Sequence, residues 1–335
     1  KKNLASYEKS CIDTSLPIFI VGMPRSGTKL LRDLLNQHSH IAIPSIETEF
    51  LPGLVTRYST EKHYSRDEFR TLFRELIRFP YFNYLHESGF ELTADEWFDA
   101  CAESNLAGIF EALVRCSTGT VTQPDVIWGD KSPSYINHIP LLKDVYPAAK
   151  FIHIVRDVRD YAISISKAWG KNRLRAAQRW ADSLDAIEND IRAVKGDALV
   201  VRYEDLLDEH ETILRRILEF LDLDFEDRVL ELESASENLG DARGETRIVS
   251  ANKNKYRKML QAEEIRSLEE LAGDTLQRYG YKSDYQGPRK RLSKWRENYY
   301  QFLDAINMVR FEKDCRGYIG SVLFYWRYFK ATRGL

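Results

Sequence analysis

The chain has 335 residues, of which 43% are hydrophobic and 30% are charged, and its formal net charge is −2. A chain of this length and composition can bury a large core, which predicts a globular protein. The nearly balanced charge excludes a bulk polycation. We therefore predict no nucleic-acid partner, and we expect any anionic ligand to bind in a local basic pocket.

The cysteines and the start of the chain bear on compartment and metal binding. The cysteines lie far apart, without a C-x-x-C pair or a neighbouring histidine cluster, so we predict ordinary thiols and no metal site. The chain contains no apolar run of about 18 residues, which predicts a soluble protein, and no N-x-S/T glycosylation acceptor, which favours a cytoplasmic one. The alternative is the secretory-pathway lumen, if an N-terminal anchor was trimmed. The cysteines are Cys11, Cys101, Cys116 and Cys315.

Three short apolar runs predict the strands of a parallel sheet. They lie at residues 18–21, 151–155 and 198–201, and apart from His153 they are continuously apolar, as is typical of strands covered on both faces. Helical patterns separate them, as in βαβ units. The pattern predicts a P-loop-like, three-layer α/β fold with a central parallel sheet flanked by helices.

An aromatic-rich segment follows the first strand and helix. Its apolar residues recur at helical spacing and predict a helical insertion at about residues 55–120. We interpret residues 1–285, including this insertion, as one domain.

The composition changes in residues 286–335. This region begins with a basic cluster, Arg289-Lys290-Arg291, and continues as aromatic, helix-like sequence. We interpret it as a helical basic-aromatic extension that packs as core or as a homodimer surface. The alternative is peripheral contact with a membrane or a lipid.

The turn after the first strand has the composition of a phosphate-binding loop. It reads Gly22-Met23-Pro24-Arg25-Ser26-Gly27-Thr28-Lys29 and leads into an amphipathic helix. Its glycines allow close backbone approach to an oxyanion, its hydroxyl groups can donate hydrogen bonds, and Arg25 supplies a fixed positive fork. The first amides of the helix add donors. The alternative is an ordinary Gly-Ser turn.

A kinase is the main rival enzyme. A Walker A loop ends in Gly-Lys-[Ser/Thr], whereas here the residues after Gly27 are Thr28 and Lys29, so lysine and hydroxyl are exchanged. That order misplaces both the phosphate-binding lysine and the magnesium-binding hydroxyl. An ATP-dependent kinase would therefore have a degenerate P-loop.

The run Pro24-Arg25-Ser26-Gly27-Thr28 resembles the P-[RK]-S-G-T loop of the sulfotransferases that use 3'-phosphoadenosine 5'-phosphosulfate (PAPS). In that family a later strand ends in Arg, with Ser eight residues on; Arg156 and Ser164 match this spacing. The resemblance covers roughly residues 17–260, and its motifs look most like those of tyrosylprotein-type and related bacterial enzymes. It implies that Arg156 and Ser164 hold the 3'-phosphate of the nucleotide; the alternative for Arg156-Asp157 is a local ion pair that caps a helix.

The resemblance also implies the catalytic residues. In that group the glutamate after the first helix acts as base and a lysine in a K-[DS]-P context supports the leaving group, which here correspond to Glu47 and Lys131. Arg25 would stabilise charge together with Lys131. Glu49 is the alternative base.

Further nucleotide contacts are implied with less specific motifs. Tyr203 lies in an R-Y-E-D-L segment like the family's, and Ser250 lies where a late serine meets the 3'-phosphate. Either Lys253 or Lys255 would supply the positive charge expected from that late loop. The implied loop contacts are Arg25, Ser26, Gly27, Thr28 and Lys29, where Lys29 replaces a small hydroxyl residue of the family.

Together these residues predict in-line transfer of a sulfuryl group from PAPS to a hydroxyl acceptor, without a metal. The acceptor stays open between a small molecule, a lipid, a sugar and a tyrosyl group. A catalytically silent nucleotide- or glycan-binding module is the alternative outside the enzymes.

Overall fold

The computed structural model describes residues 16–236 and 243–333. The start of the chain, with Cys11, lies outside the described residues. The strands are β1 (Ile18–Gly22), β2 (Ile41–Ala42), β3 (Ile127–Lys131), β4 (Lys150–Val155) and β5 (Ala198–Arg202). The helices up to β3 are α1 (Thr28–Leu35), α2 (Leu51–Arg57), α3 (Arg66–Leu76), α4 (Pro80–Glu87), α5 (Ala94–Asp99) and α6 (Leu106–Thr118).

The later helices alternate with the last strands and then form the C-terminal third. They are α7 (Ile139–Val145), α8 (Val158–Trp169), α9 (Arg173–Ala193), α10 (Tyr203–Asp208), α11 (His210–Phe220), α12 (Tyr256–Met259), α13 (Ala262–Ala272), α14 (Thr275–Arg278) and α15 (Lys294–Arg333). Short 3₁₀ helices span Pro133–His138 and Asp227–Leu230. The long helix α15 is interrupted at Gly317, where φ is 65° and ψ is 170°.

All strand pairs of the sheet are parallel, in the order β2-β3-β1-β4-β5. The central strand β1 therefore has β3 on one side and β4 on the other. The chain adds strands β2 and β3 on one side of β1 and strands β4 and β5 on the other. The carboxyl end of β1 is therefore the topological switch point, where ligands of open α/β sheets bind.

The two faces of the sheet bury separate cores. On one face Phe19 and Phe151 stack with ring centroids 5.6 Å apart and meet α8, α9, α13 and the helical insertion. On the other face Ile20 and Ile152 meet α1 and α11. Successive strand residues alternate between these faces, and both are apolar, which explains the continuous apolar runs. The predicted three-layer parallel α/β fold is confirmed.

The helical insertion and the helical C-terminal region are also present. Helices α2 to α6 occupy residues 51–118 and pack one side of the sheet through residues such as Phe50, Phe69 and Trp97. Ser65 and Thr93 form capping boxes at the starts of α3 and α5. Among the described helices, none is both long and apolar enough to cross a membrane.

Candidate functional site

Every strand delivers a predicted site residue to the same edge of the sheet. Parallel strands end at one edge, so the segments after them lie side by side. The phosphate loop follows β1, Glu47 follows β2, Lys131 is the last residue of β3, Arg156 follows β4 and Tyr203 follows β5. Motifs spread over residues 25–203 are thereby brought together.

The phosphate loop is closely packed against α10. Gly27 has a φ of 95°, and a Cβ atom there would lie 2.2 Å from Cδ2 of Tyr203, so only glycine fits. Arg25 also has a positive φ, 70°. Ser26 is fully buried, and its Oγ has no hydrogen-bond partner among the described residues. Thr28 is buried and Lys29 half-buried in the first turn of α1.

Arg156 joins the loop to the late segment of the chain. It is 4% exposed, its Nη1 donates to the carbonyl of Arg25 (3.1 Å), and its Nη2 donates to the carbonyl of Asn252 (2.9 Å). Its guanidinium lies 4.5 Å from the ring centroid of Tyr203. Its Nε is buried without a partner in the described part of the chain. Asp157 caps α8 and pairs with Arg159 rather than with Arg156.

Asn252 contacts Arg156 and Tyr203 at the candidate site, and the motifs did not identify it. Its Nδ2 donates to the hydroxyl of Tyr203 (2.8 Å), and its Oδ1 accepts from Nζ of Lys255. Lys253 instead pairs with Asp208. Between the two late lysines, the contacts therefore favour Lys255 as the one that borders the candidate nucleotide site.

Glu47 and Lys131 are in direct contact. Nζ of Lys131 donates a hydrogen bond to Oε1 of Glu47. The lysine side chain is 4% exposed and the glutamate side chain 39% exposed, so the carboxylate can meet a molecule from solvent. Glu49, the alternative base, has a φ of 55°, and its amide donates to Oγ of Ser132 (3.2 Å).

A buried polar network holds the strand that carries Lys131 against the segment that carries Glu47. Oγ1 of Thr48 donates to Oδ2 of Asp130 and lies 2.6 Å from the hydroxyl of Tyr135. Oγ of Ser132 donates to Oδ1 of the same carboxylate (3.2 Å). Burial raises the pKa of Asp130 to about 6.

Two further residues, Ser164 and Ser250, are predicted to contact the nucleotide. Ser164 is half-buried in the second turn of α8, as its spacing from Arg156 predicts. Ser250 is exposed in the late segment two residues before Asn252. Its nucleotide contact, like that of Ser164, stays a prediction.

The comparison with family models decides the class. Residues 17–227 match the model described as "Sulfotransferase family", which covers more than half of the chain. The chain belongs to the sulfotransferase family. The match includes the phosphate loop, Glu47, Lys131, Arg156 and Tyr203.

Curated relatives align with about two thirds of this sulfotransferase. An uncharacterized protein of Aquifex aeolicus is 28% identical over 64% of this chain and 26% of its own length. The protein-tyrosine sulfotransferase A of Caenorhabditis elegans is 26% identical over 66% of this chain and 53% of its own length. The Drosophila melanogaster protein-tyrosine sulfotransferase is 28% identical over 64% of this chain and 40% of its own length. The chain thus spans about a quarter to a half of the length of these three relatives.

The chain also aligns with solved structures of sulfotransferases. The sulfotransferase domain from the Synechococcus PCC 7002 olefin synthase aligns with a TM-score of 0.49 and 24% identity, over 77% of this chain and 94% of that chain. Mouse sulfotransferase SULT7A1, complexed with PAP, aligns with a TM-score of 0.43 and 13% identity, over 78% of this chain and 85% of that chain.

Proposed function

We propose that this protein transfers the sulfuryl group of PAPS to a hydroxyl group of an acceptor. The observation that carries the proposal is the contact between Lys131 and Glu47 at the sheet edge that also holds the phosphate loop and Arg156. In in-line group transfer a base can take the proton of the acceptor, and fixed cations can stabilise the charge that develops on the leaving group. Membership of the sulfotransferase family supports the reaction class.

The residues of the loop fit the phosphate and sulfuryl groups of PAPS. Oγ of Ser26 and Nε of Arg156 are buried donors without a partner among the described residues, and buried donors are normally satisfied. Gly27 lets the loop pack closely against the Tyr203 ring, because a Cβ atom there would clash with it. Anionic oxygens of the nucleotide would accept hydrogen bonds from these donors, as at other phosphate sites at helix N-termini. We assign Ser164 and Ser250, with Arg156, to the 3'-phosphate.

The roles of the catalytic residues follow from their chemistry. PAPS supplies a sulfuryl group already bonded to a phosphate leaving group. The acceptor oxygen forms a bond to sulfur while the bond between sulfur and the phosphate oxygen breaks, and Glu47 takes the hydroxyl proton. The leaving phosphate oxygen keeps the electron pair, and Lys131 and Arg25 offset its negative charge. These fixed cations do the work that magnesium does in kinases.

The acceptor and the compartment belong to the same proposal. The relatives named protein-tyrosine sulfotransferases make a tyrosyl group one candidate acceptor, beside small molecules, lipids and sugars. We propose a cytoplasmic location, because Cys101 and Cys116 carry free thiols, as is usual in a reducing compartment. Cell fractionation tests the location.

Calorimetric titration tests the nucleotide. We expect adenosine 3',5'-bisphosphate to bind without a metal, and Arg156→Ala to abolish that binding. Arg192→Ala is the matched control, because Arg192 is 70% exposed on α9. Preference for ATP with magnesium would replace the proposal with a kinase. Bisphosphate binding without turnover of PAPS on a phenol, a sugar, a lipid and a tyrosyl peptide would instead indicate a silent binding module.

A further inference from the structure

Helix α15 exposes large apolar side chains to an extent not found in the rest of the described chain. The described chain exposes twelve large hydrophobic side chains, and nine of them belong to α15. The other three are Ile77, Val121 and Met259, which are far apart in the sequence. Single exposed apolar residues are normal, but a contiguous group indicates an interaction surface.

The apolar residues after Gly317 form one continuous face. Five of them are exposed, and Ile319 is the most exposed at 79%. With 3.6 residues per turn, their positions fall within an arc of about 140°. We call this surface the apolar face; it consists of Tyr318, Ile319, Val322, Leu323 and Trp326.

The opposite side of the same segment is packed against the domain, so the apolar face points outward. Ser321 is fully buried. The ring of Phe324 meets Tyr84 of α4 edge-on, with centroids 6.0 Å apart, and the guanidinium of Arg316 lies 4.4 Å from the Phe324 centroid. These contacts fix which side of the helix is left to a partner.

The segment that carries the apolar face is basic in sequence. Residues 313–335 contain five Lys or Arg residues and one Asp, although the whole chain has a net charge of −2. A helix with Trp, Tyr and aliphatic residues on one face, in a basic setting, is typical of segments that lie in the membrane interface. Anionic lipid headgroups attract such a segment.

We propose that the apolar face docks this protein on the surface of a membrane that contains anionic lipid. The tyrosine and tryptophan rings lie at the headgroup level and the aliphatic side chains enter the acyl boundary. A second copy of the chain is the less suitable occupant, because an isologous contact would bring two basic segments together. The proposal is independent of sulfuryl transfer, since it concerns binding alone.

Vesicle flotation of the full chain tests this proposal. The vesicles contain phosphatidylcholine alone or with 30% phosphatidylserine. We expect flotation with the anionic vesicles that weakens as salt is added. The double variant Ile319→Ser/Val322→Ser should lose at least about tenfold in partition coefficient, because it removes apolar area from the contact. Both residues are exposed, so the melting temperature should not change.

Matched variants separate this face from general surface effects. Ile77→Ser/Val121→Ser makes the same changes at exposed positions outside α15 and should float like the wild type. Lys313→Glu should weaken flotation, whereas Lys195→Glu, at an exposed position on another surface, should not.

Three outcomes would overturn the proposal. One is absence of flotation with anionic vesicles, and another is flotation that Ile319→Ser/Val322→Ser leaves unchanged. The third is a dimer in sedimentation equilibrium that the same double variant dissociates, which would make the apolar face a subunit interface.

Discussion

Lys131 donates a hydrogen bond to Glu47 across 84 positions of the chain. The lysine is almost completely buried at the end of β3, and the glutamate is partly exposed after β2. The candidate cation and the candidate base therefore form one unit, and each side chain helps to orient the other. Their proposed roles in catalysis can be tested together.

Replacing Glu47 by Gln should lower turnover by about 100- to 10,000-fold, because an amide is too weak a base to take the proton of the acceptor's hydroxyl group. Binding of adenosine 3',5'-bisphosphate should be nearly unchanged, since Glu47 lies outside the phosphate loop. Turnover with radiolabelled PAPS and calorimetry measure the two effects. Glu49→Gln is the control, and a larger loss there than in Glu47→Gln would transfer the role of base to Glu49.

Replacing Lys131 by Met keeps the length of the buried side chain and removes its charge. We expect turnover to fall by about 100-fold or more, since a fixed cation next to the leaving group is lost. Residues that act as a unit have non-additive effects. The double variant Glu47→Gln/Lys131→Met should therefore be scarcely slower than the slower single variant. Fully additive losses would show that the two residues act separately.

Gly27→Ala should impair both folding and nucleotide binding, because the new Cβ atom would overlap Tyr203. Gly119→Ala is the matched control: Gly119 also has a positive φ, 71°, but a Cβ atom there meets nothing within 4 Å. We expect Gly119→Ala to cost about 1 kcal/mol in free energy of unfolding and Gly27→Ala about 2 kcal/mol more. Urea unfolding measures the difference, and equal losses would contradict the close approach of loop and α10.

Asp130 should make stability depend on pH. Its pKa is about 6 in the folded protein and near 3.8 when unfolded, so between these values the folded state binds more protons. The free energy of unfolding should therefore decrease as the pH rises from about 4 to 6, by up to about 3 kcal/mol. Asp130→Asn should lack this contribution.

The difference in unfolding free energy between wild type and Asp130→Asn isolates this group, because the other titrating residues are common to both proteins. Urea unfolding at pH 4.5 and at pH 7 measures it. A difference that is constant with pH, or that favours the wild type at higher pH, would contradict the raised pKa of Asp130.

Local patterns predicted most of the fold. The continuous apolar runs identified β1, β4 and β5, because strands covered on both faces need no polar side. The short strand β2, with two residues, carries no such pattern, and the buried Asp130 and Lys131 interrupt the apolar character of β3. The predicted domain boundary at residue 286 stays a prediction.

The sequence by itself determined the parallel α/β class, and it predicted the candidate phosphate loop and the candidate residues that follow the strands, since each depends on neighbouring positions. Only the tertiary structure decided which distant residues meet: Glu47 with Lys131, Thr48 with Asp130, and Asn252 with Tyr203 and Arg156. It also decided that the apolar residues after Gly317 face outward. Such contacts depend on how the strands and helices pack, and packing joins positions whose spacing along the chain carries no repeating pattern.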